Sequence, residues 1–141
     1  MDCKQLMQAD PDVVIPEDRL SDALALLRSR DVGSLPVVDS RETRVPLGMI
    51  TDRDAALYLA QHDRRPSEVL CREVMSSPVV FVAPTDDIKV AEEKMRHYQL
   101  RRMLVVQAGR LIGIIAQADF AREKPKEARK ILEDVSQPKV A

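Results

Sequence analysis

Aromatic side chains are almost missing from this sequence: Tyr58, Phe81, Tyr98 and Phe120 are the whole set, and there is no tryptophan. A core or a ligand pocket must therefore be built from aliphatic residues. An excess of one charge sign is missing too. Lysine and arginine number 22 against 23 aspartates and glutamates, a formal net charge of -1. The general attraction to phosphate backbones that nucleic-acid binders carry is thus not expected. Two cysteines, Cys3 and Cys71, are too few for a disulfide framework. The longest apolar runs, at 23–27 and 79–83, reach about a quarter of a membrane span. The N-terminus MDCKQLMQAD lacks the basic-then-apolar order of a cleavable signal. The expectation is a soluble cytoplasmic protein.

Glycine is limited to Gly33, Gly48, Gly109 and Gly113. None are clustered, which excludes a P-loop and a glycine-rich dinucleotide fingerprint. His62 and His97 are not spaced with each other or with the cysteines as a zinc site requires. A Cys71–His97 nucleophile pair has no supporting cluster, and a buried thiol beside a surface imidazole is the plainer reading.

What the chain does have is a repeat. At an offset of 68, Met7 falls on Met75, Val14 on Val82, Pro16 on Pro84, Asp18 on Asp86, Ala23 on Ala91 and Val37 on Val105; the cysteines coincide as well. After a three-residue contraction the offset is 65, and Gly48 meets Gly113, Ile50 meets Ile115 and Asp54 meets Asp119. The contraction lies between Val38 and Gly48, where a hairpin loop tolerates length change.

Each copy reads as β-α-β-β-α. A short apolar run (13–15; 79–82) ends at a proline, as a strand end would. An N-cap candidate follows, Asp18 in the first copy and Thr85 or Asp86 in the second. The next helix carries Leu20, Ala23, Leu24 and Leu27, or Ile88, Ala91 and Met95, at helical spacing. Two strands then form a hairpin (35–39 with 47–51; 103–107 with 111–116), and a second helix starts at 52–54 and at 117–119. A unit of this size buries too little apolar surface alone; packing sheet to sheet with its copy is the natural remedy. The divisions are 1–61, a polar linker 62–68, a second repeat 69–124, and a tail 125–141 with a last amphipathic helix presenting Ile131, Leu132 and Val135.

The segment GlyMetIleThrAspArgAsp at 48–54 carries the chemistry. A strand ends at a hydroxyl, and a carboxylate follows in the first turn of a helix whose N-terminus has free N–H groups and partial positive charge, suited to an anion. Thr51 can donate to phosphate, and ionised Asp54 can accept from paired sugar hydroxyls. A plain N-cap explains the same residues. The recurrence of glycine and aspartate in GlyIleIleAlaGlnAlaAsp at 113–119 favours the ligand reading.

Two such repeats, with LeuProValValAsp at 35–39 followed by GlyMetIleThrAspArgAsp, resemble a tandem pair of CBS domains, a Bateman module, over residues 1 to about 124. The resemblance implies a pseudo-twofold disc with two sites for adenosine-containing ligands (AMP, ADP, ATP, NAD or S-adenosylmethionine) in the cleft between repeats. It implies a first site with Thr51 on phosphate, Asp54 on ribose, and Arg53 assisting. The adenine slot there would be Met75, Val80, Leu100 and the backbone of Arg101. The second site would use Asp119, with Met7, Asp12, Val32 and Gly33 as its slot and Arg102 near phosphate. Ala116 stands where a hydroxyl is expected, which removes about 1.5–3 kcal/mol from the second site. The expected role is regulatory rather than enzymatic, with a homodimer and an unidentified regulated protein as partners. A ligand-free dimerisation module is the alternative.

Overall fold

The computed structural model describes residues 1–77 and 79–123; the expected tail helix lies outside them. The chain opens with α1 (Cys3–Leu6) and β1 (Gln8–Ala9), continues through α2 (Leu20–Arg30), β2 (Ser34–Val38), β3 (Pro46–Thr51) and α3 (Asp52–Gln61), and then crosses two short 3₁₀ turns. The second half runs β4 (Phe81–Val82), α4 (Ile88–Tyr98), β5 (Arg102–Gln107) and β6 (Arg110–Ala116), with residues 117–123 helical.

The helices follow the apolar spacing. α2 buries Leu20, Ala23 and Leu27, and α4 buries Ala91 and Met95. The expected caps do not hold. α2 starts after Arg19, whose side chain caps nothing, and α4 is capped by Asp87 rather than Thr85 or Asp86. The carboxylates of Asp18 and Asp86 instead turn back to accept from the N–H of Ile15 (3.1 Å) and Ala83 (2.9 Å). They close the turn after each leading strand, the local role in which a short acidic side chain competes with capping.

Both hairpins are antiparallel, β2 with β3 and β5 with β6, each with a register shift at the same place, between Val37 and Val38 and between Val105 and Val106. The leading strand is shorter than the apolar runs suggested. Phe81–Val82 pairs parallel to β5, while the 13–15 run contributes only the bridge from Val14 to Val37. Pro16 and Pro84 lack an N–H, so pairing cannot extend through them.

The repeats exchange their leading segments. β1, at the start of the first repeat, pairs with β6 of the second (Gln8 with Ile114, Ala9 with Gly113). Reciprocally, Ser76 bridges to Met49 in β3. The Cys3 N–H donates to the Asp86 carbonyl and the Cys71 N–H to the Asp18 carbonyl, both at 2.8 Å. Cys3 is accordingly buried in the second repeat's core, and Cys71 in the first's.

This exchange is what the recurring glycines serve. A Cβ on Gly48 would collide with the Ser76 carbonyl oxygen, and one on Gly113 with the thioether of Met7. The close approach of the crossed strand requires a missing side chain at both places.

A third apolar cluster joins the two sheets: Val38 from the first hairpin meets Leu104, Val106, Leu111 and Ile114 from the second, flanked by Val13, Ile15, Met49 and Val79. The longer loop of the first hairpin is also put to use. Its Arg44 carbonyl accepts from the Leu111 N–H (2.9 Å), and the Arg44 guanidinium donates to the Pro11 carbonyl (2.6 Å). The extra length is therefore a contact between repeats, not slack.

Candidate functional site

β3 delivers Thr51 to the start of α3, and its hydroxyl oxygen accepts from the Asp54 N–H at 2.9 Å. The remaining first-turn donors are engaged as well. The Asp52 N–H reaches the Gly33 carbonyl (3.0 Å), and the Arg53 N–H reaches the Asp52 carboxylate (2.8 Å). The helix end therefore does not offer the free N–H groups that the sequence suggested for an anion. Three side-chain groups remain available: the Thr51 hydroxyl proton, the exposed Arg53 guanidinium, and the half-buried Asp54 carboxylate. Among the described residues neither the Arg53 guanidinium nor the Asp54 carboxylate has a side-chain partner. A donor, a cation and an acceptor over one helical turn can take a phosphate and a diol together.

The other apolar residues expected at the first site pack on two different cores. Met75 is half-buried against the first core, its Cγ 3.7 Å from the Cβ position of Gly48. Val80 and Leu100 pack half-buried on the second core. Arg101 is exposed, and its carbonyl already accepts from the Gln117 N–H at 2.9 Å.

Around the second site the structure holds a cavity of about 240 Å³ between the repeats. Of the residues expected there, Asp12, Val32 and Arg102 line it, together with Gln8, Arg30, Ser34 and Pro36, which the sequence did not single out. Arg30 and Asp12 form an ion pair at 3.0 Å on this wall. Arg102 sits directly across the β5–β6 ladder from Ala116, and Ser34 across β2–β3 from Thr51. A cation thus stands next to the position where the hydroxyl is absent. Gln8 was hidden because it lies on the exchanged strand, and Ser34 because it reaches the cavity from the start of β2 through tertiary contacts. The paired glycines were the signal that could have exposed that exchange.

Met7, Gly33 and Asp119 do not line the cavity. Met7 packs over Gly113, and a side chain on Gly33 would face the Asp52 carboxylate. Asp119 is 1% exposed. One of its oxygens accepts from the Ala116 N–H (2.7 Å), and the other from Gln8 (3.4 Å) and from Arg122. Asp119 is a satisfied buried carboxylate rather than an open acceptor.

Cys71 and His97 are not brought together. Cys71 is fully buried and donates to the Arg19 carbonyl, while His97 lies edge-on to Tyr98. Burial, with the nearby charges of Asp18 and Asp22, pushes the Cys71 thiol up to about 11, the reverse of an activated nucleophile. Among the described residues no group of three or more His, Cys, Asp or Glu could hold a metal ion, and no helix is long and apolar enough to cross a membrane.

The sequence model for the CBS domain matches residues 3–61 and 71–126. The chain is 34% identical over 118 residues to the CBS domain-containing protein YhcV of Bacillus subtilis, covering 84% of this chain and 81% of YhcV. Its fold is similar to the crystal structure of Hypoxic Response Protein I, which holds two coordinated zinc ions (TM-score 0.77, 28% identity, 86% of this chain and 98% of that one). It is also similar to CBSX2 in complex with AMP (TM-score 0.76, 25% identity, 90% and 98%).

Proposed function

Because the chain belongs to the CBS-domain family, with two repeats of the domain, we propose that it is a regulatory module that binds an adenosine-containing ligand between its repeats. The observation that carries this reading is the Asp54 carboxylate, which has no side-chain partner among the described residues and lies three residues beyond the Thr51 hydroxyl. A half-buried, accessible carboxylate with no bond to the described side chains can be completed by an incoming pair of donors. A ribose diol would do so, with phosphate on Thr51 and Arg53. AMP in the similar CBSX2 supports the ligand class.

The second cleft is the weaker site in this reading. It lacks the Thr hydroxyl, and its aspartate is already bonded. Signalling would pass through the exchange of leading segments. A ligand touching the start of α3 lies on β3, and β3 holds Ser76 of the other repeat, so closure of the cleft shifts one repeat against the other. The output goes to a separate protein, in the cytoplasm, from a homodimer. In this reading the module is regulatory rather than enzymatic.

Calorimetric titration with AMP, ATP, NAD and S-adenosylmethionine tests the reading. Saturable heat with at least one of them is expected. Absence of heat with all four at ligand concentrations around millimolar, the weak end of specific binding, would leave a ligand-free dimerisation module as the function.

A further inference from the structure

Three differences between the repeats converge on one carboxylate. Position 51 is threonine and its counterpart 116 is alanine; position 76 is serine and its counterpart 8 is glutamine; position 57 is leucine and its counterpart 122 is arginine. In the first repeat Thr51 caps α3, the Ser76 hydroxyl turns to the Met49 carbonyl (3.4 Å), and Leu57 lies 51% exposed, so the Asp54 carboxylate has no side-chain partner among the described residues. In the second, alanine leaves the Ala116 N–H to Asp119, Gln8 reaches Asp119 from the exchanged strand, and Arg122 closes over it from one turn further along the helix. Gln8 also lines the second cavity, so it stands between that cavity and Asp119.

We infer that Arg122 is a latch that keeps the second cleft closed to ribose: its guanidinium holds Asp119 turned inward, and a ligand gains the carboxylate only when the ion pair opens. The inference rests on the functional reading above and adds to it. The missing hydroxyl at 116 weakens the second site passively, whereas Arg122 does so by competing for the acceptor. The Arg122 side chain is 69% exposed, so most of it is already in solvent before the ion pair opens. When Arg122 leaves, one Asp119 oxygen keeps the Ala116 N–H at 2.7 Å, and the oxygen that Arg122 held is left with Gln8 alone at 3.4 Å. The latch is therefore separable from the fold.

The sign of its effect sets the latch apart from simple charge attraction. Removing a cation near an anionic nucleotide should weaken binding; removing the latch should strengthen it. AMP binding is measured by calorimetry in the wild type, Asp54→Ala, Asp54→Ala/Arg122→Gln, and Leu57→Arg. The double variant is expected to bind AMP at least about tenfold more tightly than Asp54→Ala, the worth of one charge-assisted hydrogen bond. Leu57→Arg, on an exposed helix face, installs the same pair beside Asp54 and should weaken the first site by a similar factor. If the double variant does not fold, Leu57→Arg decides alone. Wild-type binding that neither change shifts in the stated direction overturns the latch and leaves the functional reading in place. No wild-type binding to any nucleotide removes the functional reading, and the latch with it.

Discussion

Thr51 and Ala116 occupy corresponding positions at the ends of β3 and β6, and the helices that follow are capped in opposite directions. In the first repeat the capping residue accepts from the N–H three residues on; in the second the residue three along accepts from the N–H of the capping position. These are the two halves of a capping box, split between two copies of one motif. The consequence falls on the aspartates. A hydroxyl at 51 satisfies the helix and releases Asp54, whereas a methyl at 116 draws Asp119 into the helix and buries it. The hydroxyl at 51 and the methyl at 116 thus help set how the identical aspartates that follow are bonded.

The largest expected effect lies where the repeats look most alike. Gly48 and Gly113 both face a crossed strand, but a Cβ on Gly48 meets the backbone carbonyl of Ser76, whereas one on Gly113 meets mainly the flexible Met7 side chain, with the Gln8 carbonyl 3.1 Å away. Gly48→Ala should destabilise by about 3 kcal/mol and Gly113→Ala by about 1–2 kcal/mol, the range for overpacked sites, read from urea unfolding. Equal losses would mean that the two crossings are equally rigid.

Next comes the comparison of the aspartates themselves. Asp54→Ala removes an unpaired acceptor and should weaken nucleotide affinity by about tenfold to a hundredfold with little change in stability. Asp119→Ala should do the reverse. It strands the donors of Gln8, Ala116 and Arg122 and should lower stability by about 1–3 kcal/mol, while tight-site affinity stays near that of the wild type. Calorimetry and thermal unfolding on both variants give the two-by-two result, and the opposite pattern would invert the ranking of the clefts.

The cysteines test a place where the repeats agree. Burial, reinforced by neighbouring aspartates, raises both Cys3 and Cys71 from an ordinary 9.0 to about 11. A raised thiol pKa means that the folded state keeps its proton after the unfolded chain has lost it. The contribution is complete below pH 9 and is lost as pH rises toward 11. From about pH 8 to about pH 10 each thiol should therefore remove on the order of 1 kcal/mol of stability. Cys3→Ala and Cys71→Ala should each remove the same share of that slope. Unequal shares would show that the two exchanged segments are not held alike.

The repeat, the hairpins and the sheet-to-sheet packing were legible in the sequence because each rests on local periodicity plus a long-range match. The exchange of leading segments was not. Nothing in the pattern of Met7 to Ala9 distinguishes pairing with its own hairpin from pairing with the other, and only the need for space at Gly48 and Gly113 encodes it. At the candidate site, the placement of Thr51 and Asp54 around one helix start was legible from spacing, since both sit within one turn. Gln8, Arg30 and Ser34 could not, because they reach the cavity through tertiary contacts. Asp119 was misread as open, since the motif shows the carboxylate but not the arginine a turn later that occupies it.

The smallest difference concerns helix ends. α2 and α4 both stop at a residue in the left-handed region, Asp31 at φ 52° and Gln99 at φ 56°. Each N–H there bonds back to carbonyls of the last turn, Arg28 and Leu27 in one case, Arg96 and Met95 in the other. The geometry is the one glycine adopts without a Cβ penalty. Aspartate tolerates it better than a longer side chain, because its short carboxylate can interact with the local backbone. Gln99→Gly should therefore stabilise by about 0.5–1 kcal/mol after the extra flexibility of the unfolded chain is deducted, and Asp31→Gly by less than about 0.5 kcal/mol. Thermal unfolding of the two variants side by side resolves this. A larger gain at 31 than at 99 would show that the strain lies in the surrounding turn rather than in the side chain at the cap.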